Sequence, residues 1–230
     1  MTYALYQLIR RNIKLFLKDR MTVFFAFFAP LIVLGLYVLF IGRMQVDGIL
    51  TALQEAGITG LDKQVKALCD AWMFAGVMGV SCITVSFTAG GVRVQDVERG
   101  VYADTISSPV RGWVVTLSYY ISNAIVTLAV CFLVLCVCLV WTAAAGHWYM
   151  SFGDVAALFG VTVLSVLSAT MFTLFVTSFL RTESAQGALT GILSAMVGFL
   201  TGAFMPISTF PKAIQYFTLL IPGSYSSGLF

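Results

Sequence analysis

Charge is what this sequence has least of. Asp, Glu, Lys and Arg together make up 10% of 230 residues, against about 25% in a soluble domain. So few charged side chains could not cover the surface of a soluble domain of this length, and a disordered chain needs more charge still. Histidine occurs once, at His147 in a short stretch between two apolar runs, which excludes clustered-histidine metal chemistry. Cysteine occurs five times, and Cys131, Cys136 and Cys138 lie inside an apolar run. There they read as small packing residues, not as a disulfide framework or a metal set. No G-x-x-x-x-G-K-[ST] run is present, so no phosphate cradle of that kind is encoded. The net charge of +3 gives no footing for a nucleic-acid partner, and none is expected.

What the sequence has in abundance is apolar side chains, at 60%. Crossing a bilayer takes about 20 mainly apolar residues as a helix. Five stretches qualify as spans: 21–41, 71–92, 113–145, 155–180 and 184–204. The first is too long for the apolar core of a cleavable leader and lacks a small-residue cleavage site, so it reads as a retained span. The third exceeds one crossing and is expected to tilt or to begin before the hydrocarbon core. Beyond it, 205–223 is broken by Pro206, Pro211 and Pro222, and fits a re-entrant hairpin better than a span.

Orientation follows from the basic residues near the span ends. With the N-terminus in the cytoplasm, nine Lys and Arg fall inside and four outside. The loop 46–69 is then extracytoplasmic and the loop 93–112 cytoplasmic. Ionisable residues avoid the spans, so the relay of buried acids or histidines that ion-coupled transport uses is not evident. The same lack counts against a membrane-embedded enzyme, and no catalytic or metal-binding residue is expected.

Three segments carry more specific information. Leu5, Ile9, Ile13 and Phe16 fall on one face of an N-terminal helix over 1–20, with Gln7, Arg10, Arg11, Lys14 and Lys18 opposite. Such a helix lies in the headgroup plane with its cations toward anionic lipid, or serves as a plain positive-inside anchor. The loop 93–112 has three acids and three bases, with Val97, Val101 and Ile106 at helical spacing before Pro109. It suits either docking to a soluble partner or a solvated connector. In the fifth span Gly187, Gly191, Gly198 and Gly202 share one face with Ser194 and Ala195. Small residues permit close helix approach in lipid, against a span of the same chain or across a subunit seam. Phe24, Phe25, Phe27 and Phe28 in the first span read as lipid-facing or core aromatics, and the pair Gly90-Gly91 as a site of bending or close packing.

The run Glu98-Arg99-Gly100, the helical stretch after it and Ser108-Pro109-Val110-Arg111 resemble the cytoplasmic loop of type-2 ABC transporter permeases, the membrane subunits of ATP-driven exporters. The order of interfacial helix, outer loop, inner loop and Pro-bracketed hairpin is similar to that family over essentially the whole chain. The resemblance implies an all-α integral membrane fold of six spans. Five are visible here, and the sixth is expected outside this sequence. It implies a non-enzymatic permease domain over 21–230 in the cell membrane, paired with a second permease subunit as homodimer or heterodimer. A separate cytosolic ATPase would hold ATP and Mg, with none bound by this chain. The coupling helix would be at about 100–108, with Glu98, Arg99, Gly100, Tyr102, Asp104, Ser108 and Pro109 at the ATPase contact. The glycine face of the fifth span would lie at the subunit seam. An embedded enzyme, an accessory assembly protein and a secondary transporter are the alternatives.

Overall fold

The computed structural model describes residues 2–36, 42–55, 57, 60, 62–144 and 152–200. Every regular element among them is a helix: α1 (Thr2–Lys18), α2 (Arg20–Leu36), α3 (Gly42–Glu55), α4 (Asp62–Glu98), α5 (Val101–Ser107), α6 (Gly112–Ala144), α7 (Phe152–Thr177) and α8 (Glu183–Leu200). In a medium without water each backbone N–H must find its carbonyl within its own segment, and the helix does this. Among the described residues α4, α6 and α7 are long and apolar enough to cross a membrane, while α2 is a shorter apolar helix. The 205–223 hairpin, Gly202, His147 and the ends of the first and fifth expected spans lie outside the described residues.

The central element is α4. Its 37 residues make a rod of about 55 Å at 1.5 Å per residue, far longer than the roughly 30 Å hydrocarbon layer. The expected second span, 71–92, is therefore only the middle of a helix that continues beyond the apolar stretch at both ends. Two segments between the expected spans thus carry more helix than their sequence suggested. Much of the segment 46–69 is helix, divided between α3 and the first turns of α4, and α3 packs on α4. The segment 93–112 is not one connector, since α4 runs on to Glu98 before a reversal and the short α5. Both extensions are rich in charge, so apolar content ends where the helix does not.

Helices α6, α7 and α8 pack around α4. Phe74, Met78, Ile83 and Phe87 of α4 meet Val130, Val134 and Leu135 of α6 and Val166 of α7 in one buried cluster. Cys82, Cys131 and Cys138 belong to the same cluster, as packing residues should. Cys136 is exposed. Of the four phenylalanines of the first span, Phe27 packs against this core. Phe24, Phe25 and Phe28 face outward, with Phe24 and Phe28 stacked at a centroid distance of 4.9 Å.

The amphipathic α1 is not a separate domain. Its Phe16 is buried with Ala26 of α2, Ala89 of α4 and Val126 of α6. The corner to α2 is made by Asp19, whose carboxylate accepts from the Thr22 amide at 3.2 Å and the Thr22 hydroxyl at 2.6 Å. These bonds satisfy orphan donors of the first turn and lower the Asp19 carboxyl below its ordinary range.

Candidate functional site

Successive long helices alternate in direction. One end of the bundle therefore gathers α1, the starts of α2, α6 and α8, the ends of α4 and α7, and the whole of α5. The last turns of α4 carry side chains of both signs that reach four other helices at this end.

Asp96 is the centre. It is 3% exposed and receives Arg11 of α1 through two parallel bonds, both 2.7 Å. The hydroxyl of Tyr119 on α6 donates to it at 2.5 Å. A two-pronged guanidinium–carboxylate pair is the strongest of ordinary ion pairs. The bonds from Arg11 to Asp96 raise the guanidinium above its ordinary value, so it stays charged at any working pH. Beside it Asn12, also buried, donates to Ser118 of α6 at 3.5 Å. Arg93 points the other way, donating at 2.7 Å to the carbonyl of Thr177 at the end of α7. A cation there meets the negative end of the helix dipole. Glu98 does the converse, its carboxylate accepting the Glu183 amide at the start of α8 at 2.5 Å. Arg99 lies 3.4 Å from the Glu183 carboxylate in an exposed pair, which contributes little by itself.

These anchors converge on α5. Gly100 makes the reversal, with φ of +77°, a backbone conformation that glycine takes at little cost. The seven residues after it form the helix, and none is buried. Thr105 and Ser107 return their hydroxyls to carbonyls one turn back. Ser108 is extended, as a residue before proline prefers, and Pro109 follows. Tyr102 is the inward contact. The Arg93 guanidinium lies 5.3 Å from its ring centre, and the Tyr119 ring is 6.3 Å away. Asp104 and Ile106 face outward.

Sequence reasoning placed a helix at 100–108, and α5 lies there. It did not foresee that Arg93 and Asp96 belong to the bundle, and Arg11 departs from its expectation too. Arg10, Lys14 and Lys18 are exposed, as on a lipid-directed face, but Arg11 turns inward because Asp96 is buried within reach. Glu98, expected at the docking end, is engaged inside the chain as a cap on α8, though it remains exposed. No sequence signal marked the Arg11–Asp96 pair, because partners 85 residues apart leave no local pattern.

Deeper in the bundle Gly90 allows α4 and α7 to touch. A β-carbon there would sit 2.6 Å from the Thr173 methyl, beside the Ser86–Thr173 hydrogen bond of 2.9 Å. One at Gly91 would meet nothing nearer than the Gln186 Cγ at 3.9 Å. Gly90→Ala should therefore destabilise by about 1–3 kcal/mol through overpacking, despite the helix preference of alanine. Gly91→Ala should be neutral or stabilising. Thermal melting of both variants in detergent checks this; equal effects would remove the argument for close approach at Gly90.

In α8, Gly187, Gly191 and Ser194 are exposed, and added β-carbons at Gly187 and Gly191 would touch none of the described residues within 4 Å. Gly198 is buried, while Leu189 and Leu193 pack against the core. The glycine face is thus split, its first half open. Among the described residues no cluster of His, Cys, Asp or Glu could hold a metal.

Among the described residues, an all-helical bundle with three membrane-length helices, an amphipathic helix bound to its side and a short exposed helix at one end has the make-up of an integral membrane protein. The profile of the ABC-2 type transporter family matches residues 3–230, and the chain belongs to that family, as a permease component of an ABC transporter. No curated protein and no solved structure matches it.

Proposed function

We propose that this chain is the permease subunit of an ATP-driven exporter of the cell membrane, with α5 as the docking element for a separate cytosolic ATPase. The observation that carries this reading is the contrast within one small region. Helix α5 has no buried residue and presents Asp104 and the apolar Ile106 outward. Its inner side meets Arg93 and Tyr119, and Arg93 and Asp96 lead on to α7, α1 and α6. A push on such a helix reaches the spans with little slack. ATP and Mg would be held by the ATPase. Coexpression with an ABC ATPase from the same source should give a complex that survives purification and moves substrate from liposomes only with ATP. An ATPase that neither binds nor is stimulated would end this reading.

The N-terminus, and with it the α5 end, is cytoplasmic in this reading. In a background lacking native cysteines, a Cys at Gln54 should react with an impermeant maleimide from outside and a Cys at Gln95 should not. Labelling at Gln95 alone reverses the topology.

A second permease subunit, identical or homologous, completes the path by packing on α8. The open positions Gly187, Gly191 and Ser194 support this, since among the described residues nothing fills the space beside the two glycines. Under oxidation a Cys at Gly191 or Ser194 should form an intersubunit dimer, while a Cys at Leu189, packed on the core, should not. Cross-linking at Leu189 and none at Gly191 would put the seam elsewhere.

A further inference from the structure

Between the α1–α2 corner, α4 and the first turns of α8 lies a cleft of about 280 Å³. That is just under the range of sites for whole drug-sized ligands, about 300–1,000 Å³, and enough for a headgroup. Leu15, Phe16 and Val92 form its apolar part. Its polar wall includes Asp19, Thr22, Gln95, Glu183, Gln186 and Thr190, and among the described residues no lysine or arginine lines it.

Gln186 is the unusual member. It is 6% exposed, and its Nε2 donates to the Phe87 carbonyl at 2.7 Å. Only the nitrogen can donate to a carbonyl, so this bond fixes the amide orientation and leaves Oε1 over. That oxygen is buried and accepts no hydrogen bond from the described residues, a state proteins seldom leave uncompensated. Gln186 lines the cleft, so a turn of its carboxamide, which lengthens the Nε2 bond to Phe87, would present Oε1 to a donor there. The two carboxylates add acceptors of negative charge, and Asp19 is held ionised by its bonds from Thr22.

We propose that this cleft binds the primary ammonium group of an amphiphile, with Gln186 Oε1 accepting one N–H and Asp19 and Glu183 supplying the counter-charge. An anionic headgroup would meet two carboxylates, with Arg99 at 3.4 Å from Glu183 the neighbouring cation and none opposite Asp19 among the described lining residues. A quaternary ammonium would have charge and no N–H to give. The site stands apart from the docking role of α5 and does not depend on it.

Native mass spectrometry of the purified full chain in detergent tests this with three phospholipids of identical acyl chains. Phosphatidylethanolamine should be retained about tenfold more tightly than phosphatidylcholine, the scale of one charge-assisted hydrogen bond, and more tightly again than phosphatidylglycerol. Gln186→Leu should abolish the preference over phosphatidylcholine. Equal retention of the first two lipids by the unmodified chain, or an unchanged preference in Gln186→Leu, overturns the proposal. If Gln186→Leu does not fold, Glu183→Gln decides, because its carboxylate is exposed: the preference over phosphatidylglycerol should narrow, and an unchanged one overturns the proposal. Ethanolammonium chloride added without lipid identifies the source. Saturable binding points to a soluble amine and a need for acyl chains points to a lipid. Both outcomes uphold the ammonium site, and binding of neither removes it.

Discussion

Replacing Arg11 with alanine should destabilise the folded chain by about 3 kcal/mol, more than any other single change at the surface of α1. The reason is what it leaves behind. Asp96 would keep the Tyr119 hydroxyl but lose both bonds from the guanidinium, and its side chain is 4% exposed. Removing one partner of a buried pair strands the other charge, at about 3–5 kcal/mol. The lower end applies because the Arg11 side chain is 35% exposed and water can approach the site. Asp96→Asn should cost less, about 1–2 kcal/mol. Asparagine can still accept from Tyr119, and a freed Arg11 can turn to solvent. The double variant should be less damaged than the sum of the two, since no buried charge remains. Arg11→Lys should recover only part, because an ammonium cannot make the paired bonds. Unfolding by SDS titration in mixed micelles measures all four. An additive cycle, with coupling below about 0.5 kcal/mol, would mean that α1 is held by Phe16 and its apolar neighbours alone. Removing Lys14, an exposed cation of the same helix, serves as the control and should change stability by no more than about 0.5 kcal/mol.

The second large effect is expected on coupling, not on stability. Ala103→Pro should reduce ATP-driven transport by about tenfold or more, equivalent to at least 1.4 kcal/mol, while the chain still inserts and melts near the parent temperature. Ala103 is exposed, so no core contact is lost. Its amide donates to the Gly100 carbonyl at 3.1 Å, and proline has no amide to give. Proline also drives the preceding residue away from helical geometry, and that residue is Tyr102. The ring would leave its place between Arg93 and Tyr119, so the inner side of α5 would lose its hold on the bundle. ATPase binding, hydrolysis and transport measured together in proteoliposomes separate the steps. Retained hydrolysis with lost transport is the expected result. Full transport in this variant would show that α5 does not carry the stroke. Charge reversal at Glu98 is a less clean test of docking, because its carboxylate also caps α8.

The two results bear on one mechanical idea. Arg93, Asp96 and Glu98 occupy the last turns of a single helix, α4: Arg93 holds the end of α7, Glu98 the start of α8, and Asp96 both Arg11 of α1 and Tyr119 of α6. In the proposed docking role, a displacement of α5 would pass to α4 through the Gly100 reversal and through Tyr102, and from there to α1, α6, α7 and α8.

Membrane residence, the helical class and the existence of the long apolar helices were determined by the sequence alone, because each rests on local counting. A bilayer thickness sets a run length, and 60% apolar residues leave no other way to satisfy the chain. The helix after Gly100 and its stop near Pro109 were legible for the same reason, since glycine and proline act on their own backbone. The boundaries of α4 were not. Charged residues at 62–66 and 93–98 look like loop to a hydropathy count, but helix propensity and packing carry the helix through them. What only the tertiary structure decided is who faces whom. Arg11 and Arg10 are neighbours in sequence, of one chemistry, yet one is paired with a buried carboxylate and the other is exposed. Gly90 is pressed against α7 while Gly91 has room, and Gly191 is open while Gly198 is buried. Each distinction depends on a partner more than 80 residues away or on rotation about a helix axis. Local pattern carries no record of either, because burial is a property of the assembled helices and not of any one of them.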